Sequence, residues 1–138
     1  MTEKLDKSGR SELHYICIDV EKSKRNKIAL DLIKKGFDVN LKDKNGQTPL
    51  HSAAQEKDKD ICEILINAGA KINEKDKWGN TPLSVAITQG LDEKGEIINL
   101  LLNKGADPLI KNNYGSSALD VAKQISNYDF KKFFKKYL

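Results

Sequence analysis

The apolar residues of this chain fall into short stripes at helical spacing, set apart by polar turns. Leu50 with Ala53 and Ala54 forms one such face, and Ile61 with Ile64 and Leu65 forms the next. Residues 97–102 repeat the second stripe. Phe130, Phe133, Phe134 and Tyr137 then recur at three- and four-residue spacing against lysines, which predicts one amphipathic terminal helix. Thr48 is placed to cap the helix that carries Leu50, with Pro49 accepted in its first turn. Gly69 follows the helix that carries Leu65 and predicts a left-handed end to it. These elements are pairs of short helices, so the chain reads as all-α.

The pairs keep a register. Glycine, any residue, serine or threonine, any residue, leucine occurs four times, starting at Gly9, Gly46, Gly79 and Gly115. The steps of 37, 33 and 36 residues divide a single domain, 1–138, into repeats of about 6–42, 43–75, 76–111 and 112–138. A unit of that size cannot bury its own apolar face, so each repeat must stack on the next and leave a long, shallow surface suited to binding. Repeat one has four extra residues around 21–26, and repeat three has three extra within 89–95. Both insertions are expected to lengthen the loop between paired helices.

Repeat two reads Asp43-Lys44-Asn45-Gly46-Gln47-Thr48-Pro49-Leu50-His51-Ser52-Ala53-Ala54 and closes with Asn67-Ala68-Gly69-Ala70-Lys71-Ile72-Asn73. It resembles the ankyrin repeat closely. Repeat three matches from Asp76 to Asp107, and repeat one keeps Asp6, Gly9, Leu13 and His14 but has Asp31 where an apolar residue is usual. The resemblance covers residues 6 to 138. It implies an ankyrin-repeat solenoid of stacked helix-turn-helix units with inter-repeat β-turn or hairpin loops, the first and last repeats acting as caps. It also implies that His14 and His51 hydrogen-bond between neighbouring turns, with Ser84 and Asp120 in their place in repeats three and four.

Ankyrin arrays commonly bind through the turn tips and the exposed side of the first helices, which together line a concave face. By that resemblance the partner-binding candidates at the turn tips are Arg10, Asn45, Gln47, Lys77, Trp78, Asn80, Asn113, Tyr114 and Ser116. On the first helices they are Tyr15, Gln55, Glu56, Thr88 and Gln89. Trp78 and Tyr114 are in phase, and exposed aromatics are the usual hot spots of an interface. The resemblance implies a non-catalytic protein–protein interaction module whose partner is another protein. An array with no effector domain acts by occupying or bridging that partner, as an inhibitor or an adaptor does, and small bacterial ankyrin proteins that resemble this one include immunity proteins of toxins. The alternatives are a scaffold subunit of a larger complex and a membrane-surface binder using the basic C-terminal helix.

Composition adjusts this picture in a few places. Of 138 residues 38% are hydrophobic and 32% charged, which suits a folded chain with a highly charged surface. The net charge of +4 equals that of residues 123–138 alone. Nucleic-acid binding is disfavoured because 22 of the 24 basic residues are lysines, whereas recognition of bases and phosphates favours the guanidinium of arginine. The N-terminus reads as polar sequence rather than a signal peptide, and no apolar run approaches the roughly 18 residues of a membrane span. A cytoplasmic monomer is expected. Cys17 and Cys62 fall at core positions of different repeats and read as inert buried thiols. Catalytic residues, cofactors, metals and a small-molecule substrate are not expected. Neither the Asp43 turn nor the acidic stretch from Glu56 to Asp60 has the ligand spacing of a calcium loop.

Overall fold

The computed structural model describes residues 4–88, 95–125 and 130–138. Seven α-helices occur among the described residues: α1 (Glu12–Asp19), α2 (Lys22–Lys34), α3 (Pro49–Gln55), α4 (Lys59–Asn67), α5 (Pro82–Thr88), α6 (Glu96–Asn103) and α7 (Ala118–Gln124). Two 3-10 turns, Phe130–Phe133 and Lys135–Tyr137, follow. Helices pair within repeats as α1 with α2, α3 with α4 and α5 with α6. Across repeats the inner layer stacks α1, α3, α5 and α7, and the outer layer stacks α2, α4 and α6. Among the described residues there is no strand, only an isolated bridge between Lys111 and Ser117.

The two middle inner helices, α3 and α5, are enclosed by a neighbouring helix on each side. Six of the seven residues of α3, from Pro49 to Ala54, are buried, and so are six of the seven in α5. Small side chains such as Ser52, Ala53 and Ala54 admit the neighbouring helices. At the start of the stack α1 buries only Leu13, His14, Ile16 and Cys17. Ser11, Thr48 and Ser117 cap their helices through backbone N–H groups, and Thr81 Oγ1 accepts from the N–H of Ser84 at 3.3 Å. Cys17 and Cys62 are buried and free. Burial pushes both thiols up, that of Cys17 to about 12, so neither is a nucleophile at neutral pH.

Two expectations are corrected. The four extra residues of repeat one do not lengthen a loop. Only Val20 and Glu21 separate α1 from α2, and α2 runs 13 residues where α4 runs nine. The inserted segment is rich in lysine and arginine, which favour helix, and Arg25 anchors it. Its Nε donates to Val20 O at 2.8 Å and its Nη1 to Asp58 Oδ2 at 3.2 Å. Asp31 causes no misfit, because it and Leu30 face solvent while Ala29 and Leu32 are buried. The second correction is the terminal cap, which forms two 3-10 turns instead of one amphipathic α-helix. Phe134 is fully buried and Phe133 and Tyr137 pack against the core, so the segment still closes the stack. The insertion at residues 89–94, and the side chains of residues 126–131, lie outside the described residues.

Both arginines of the chain link repeat one to repeat two. Arg10 Nε pairs with Asp43 at 2.8 Å, and Arg25 pairs with Asp58. Both acids are largely buried, so these pairs are screened less than surface pairs. The turn glycines fix the other contact between repeats. Gly79 has φ +82, and a Cβ there would lie 2.8 Å from Asn113 N and 2.9 Å from Asn112 Cα. Gly115 has nearly the same φ, +81, with nothing within 4 Å. Gly79→Ala is therefore expected to cost about 1 to 3 kcal/mol more than Gly115→Ala, the difference being overpacking against the next turn. Equal losses in denaturant titrations would show that left-handed strain alone sets the cost.

Candidate functional site

Each turn is built around one acceptor side chain. Asp43 Oδ1 accepts from the N–H groups of Asn45 at 2.8 Å and Gln47 at 2.9 Å, and Asp76 Oδ1 accepts from Trp78 and Asn80 at 2.9 Å. Asp6 and Asn112 do the same for Ser8 with Arg10 and for Tyr114 with Ser116. Successive turns are joined by backbone: Lys44 N–H donates to Ser8 O, Lys77 N–H to Asn45 O and Asn113 N–H to Trp78 O. A side-chain bond doubles each link. Gln47 Nε2 donates to Asp76 Oδ2 at 3.4 Å and Asn112 Nδ2 to Asn80 Oδ1 at 3.1 Å, in the place Arg10 holds on Asp43. The turn tips thus form a comb whose spacing is set by hydrogen bonds.

The histidines brace the comb from beneath, as the resemblance implies. His51 Nδ1 accepts the Thr48 N–H at 3.1 Å, which leaves Nε2–H to donate to Asn80 O at 2.9 Å. His14 repeats this between Ser11 N–H and Gln47 O. Burial is the largest cause holding both below the ordinary value of 6.5. In repeat three Ser84 bonds only its own cap, Thr81, through the side chain, and in repeat four Asp120 accepts from the Ser117 N–H. Both residues preserve the cap without reaching the next turn.

The candidate contact residues divide by what the fold already asks of them. Arg10, Gln47 and Asn80 spend polar groups on the neighbouring turn. Asn113 Nδ2 donates to Lys77 O at 2.8 Å, and the Thr88 hydroxyl bonds the carbonyls of Ser84 and Val85. The Tyr15 hydroxyl donates to Asp6, which lowers the Asp6 pKa and raises that of Tyr15, and Arg10 lies over the Tyr15 ring at 5.4 Å. Arg10, Gln55 and Glu56 come together with Ile18 and Ser52 around a concave cleft of about 50 Å³. That volume takes a side chain and not a cofactor. Gln89 lies outside the described residues.

Trp78 and Tyr114 hold equivalent positions but differ in exposure. Trp78 is half-buried, with Lys77 Nζ 4.5 Å from the centre of its ring. Tyr114 is 76% exposed. A further turn docks on the Trp78 turn through Asn113, whereas among the described residues no turn docks on that of Tyr114. Asn45 and Ser116 are half-buried beside their turns, and Lys77 is exposed.

A second ladder escaped the sequence reading. Asn40 Nδ2 donates to Gly69 O at 3.0 Å while its Oδ1 accepts from Lys71 N–H at 2.7 Å. Asn73 does the same with Gly105 O and Asp107 N–H. The recurrence of asparagine at the close of repeats one and two was the available signal. Among the described residues every buried side-chain polar atom has a partner, and no group of three or more potential ligands is placed to hold a metal. No described helix is long and apolar enough to cross a membrane.

No curated protein matches the chain. A family model described as ankyrin repeats, in three copies, matches residues 13–112. Ankyrin repeats are in general protein–protein interaction modules and typically have no catalytic activity. With capped inner helices, left-handed turn glycines and histidine braces recurring in phase under that match, the chain belongs to the ankyrin repeat family.

Proposed function

We propose that this chain is a non-catalytic inhibitor that grips one partner protein through its concave face and occludes it. Tyr114 carries the reading. Its ring is 76% exposed on a turn held by Asn112, in line with Trp78 on the neighbouring turn. A large aromatic held on a rigid turn loses little conformational freedom when a partner covers it. Ile18, 51% exposed beside Ser52 and Gln55, adds an apolar contact on α1. An array that covers a surface inhibits by binding alone, so the sharper form of the reading is a cytoplasmic immunity protein that neutralises a bacterial toxin. Two buried free thiols support a reducing compartment. A scaffold role would use the same face without blocking anything. The membrane-surface reading is weakened by Phe134, which turns apolar surface of the C-terminal segment into the core.

The test is affinity capture from native lysate with wild type, Tyr114→Ala and the outer-face variant Lys104→Ala. Loss of about 2 kcal/mol of affinity, roughly thirtyfold, is expected for Tyr114→Ala alone. A partner lost with Lys104→Ala and kept with Tyr114→Ala would place binding on the outer helices. Protection of cells that express the captured partner would support the immunity form.

A further inference from the structure

Two of the turn acids are buried while the lysines that follow them are exposed. Asp43 and Asp76 are only 6% and 8% exposed, and each commits its Oδ1 to two N–H groups of its own turn. Asp43 Oδ2 is bound by Arg10, and Asp6 is bound by the Tyr15 hydroxyl and two backbone N–H groups. Glu74 is held by Lys42 at 2.6 Å. The lysines that follow the turn acceptors, Lys7, Lys44 and Lys77, are exposed. Of those that precede an acceptor, Lys111 is exposed, whereas Lys42 is spent on Glu74 and Lys75 Nζ donates to Lys111 O at 3.1 Å. The first 122 residues carry no net charge, so this excess of cations is a matter of placement.

Resting on the concave-face reading above, we propose that the turn tips form a cationic ledge that takes an extended acidic segment of the partner protein. Packed helices lie about 8 to 10 Å apart, which sets the step from one turn to the next. A chain extended as a polyproline II helix has three residues per turn and rises about 3.1 Å per residue, so a carboxylate at every third residue stays on one face and keeps step with the lysines. Ammonium groups on flexible stems meet such carboxylates as point charges without a fixed fork geometry. Trp78, beneath Lys77, supplies an apolar floor beside the row. Exposed charges act within a Debye length of about 8 Å at physiological salt, so the contact is expected to weaken steeply as salt rises.

The probe is a fluorescent peptide of about a dozen residues with glutamate at every third position, compared with one of equal charge whose glutamates are clustered. Wild type is expected to bind the first more tightly and to lose it at high salt. Lys44→Glu with Lys77→Glu should weaken binding by about tenfold or more, while Lys34→Glu with Lys104→Glu on the outer helices changes it less than about twofold. Melting curves confirm that both variants fold. Equal losses in the two variants, no preference for the spaced peptide, or equally tight binding of oligothymidylate would overturn the proposal. A natural partner that depends on Tyr114 but ignores both salt and the Lys44, Lys77 reversal would overturn the ledge alone and leave the concave-face reading standing.

Discussion

Phe134→Ala is expected to destabilise the chain by about 3 to 5 kcal/mol, the range for truncating a fully buried aromatic. Phe134 lies near the C-terminus, yet it heads the largest fully buried side chains and belongs to the same core cluster as Leu101 and Leu119. The first 3-10 turn packs on α7, and the Phe133 ring lies against Gly95 at the entrance to α6. A Cβ on Gly95 would come within 2.2 Å of Phe133 Cζ, so that glycine admits the ring. In a linear array each repeat is held mainly by its neighbours, and a lost cap is felt first at its own end. Amide exchange in α7 should therefore accelerate well before exchange in α3, and the denaturant midpoint should fall. A loss under about 1 kcal/mol, with α7 still protected, would show that the terminal turns do not close the stack. The exposed Leu138 is the control, since truncating it removes little buried area.

The two sequence expectations that failed share a physical cause: spacing counts residues without saying how they coil. Phe130 with Phe133, and Phe134 with Tyr137, stand three apart, which suits a 3-10 turn as well as an α-helix. The four extra residues of repeat one were visible as a number, but whether they bulged as loop or wound onto α2 depended on Arg25 finding Val20 and Asp58. Much else was legible because each motif residue has a single physical job. Gly46 and Gly79 adopt positive φ, Thr48 caps, Leu50 and Leu83 fill the core, and His51 spans two turns. The candidate face was legible only as a register. Phase placed Trp78 and Tyr114 together, but exposure depends on what stacks beyond each turn. Arg10, Gln47 and Asn80 also bind the neighbouring turn, a task that a sequence does not show because it does not tell which groups are in reach.

The histidine braces make the stack sensitive to acid. Unfolded, His14 and His51 take up protons as pH falls below their ordinary 6.5, while burial holds both lower in the folded chain. A proton on Nδ1 would also abolish the acceptor for the Ser11 and Thr48 N–H groups. Neighbouring acids oppose burial without being its equal: Asp43 and Asp6 near His14, and Asp76, Asp43 and Glu74 near His51. Unfolding therefore takes up protons below pH 6.5. Stability should be level from that pH up to the ordinary thiol value of 9.0, and fall beneath 6.5 by about 1.4 kcal/mol per pH unit for each histidine, until each folded pKa is reached. A second decline begins lower, near the ordinary carboxylate values of 4.5 and 3.8, as Glu74, Asp6 and Asp120 lose their lowered pKa values. His51→Ala should cost about 2 to 5 kcal/mol at pH 8, a cavity with the Thr48 N–H left unpaired. His51→Ser, which copies repeat three, should restore part of that loss because serine can bond the threonine cap as Ser84 does. In both variants the slope just below pH 6.5 should halve, since of the two histidines only His14 remains. Denaturant titrations across that range read both quantities at once. An unchanged slope in both variants would move the acid sensitivity away from the braces, while a halved slope with little loss at pH 8 would mean that the turns hold their spacing through the backbone bonds alone.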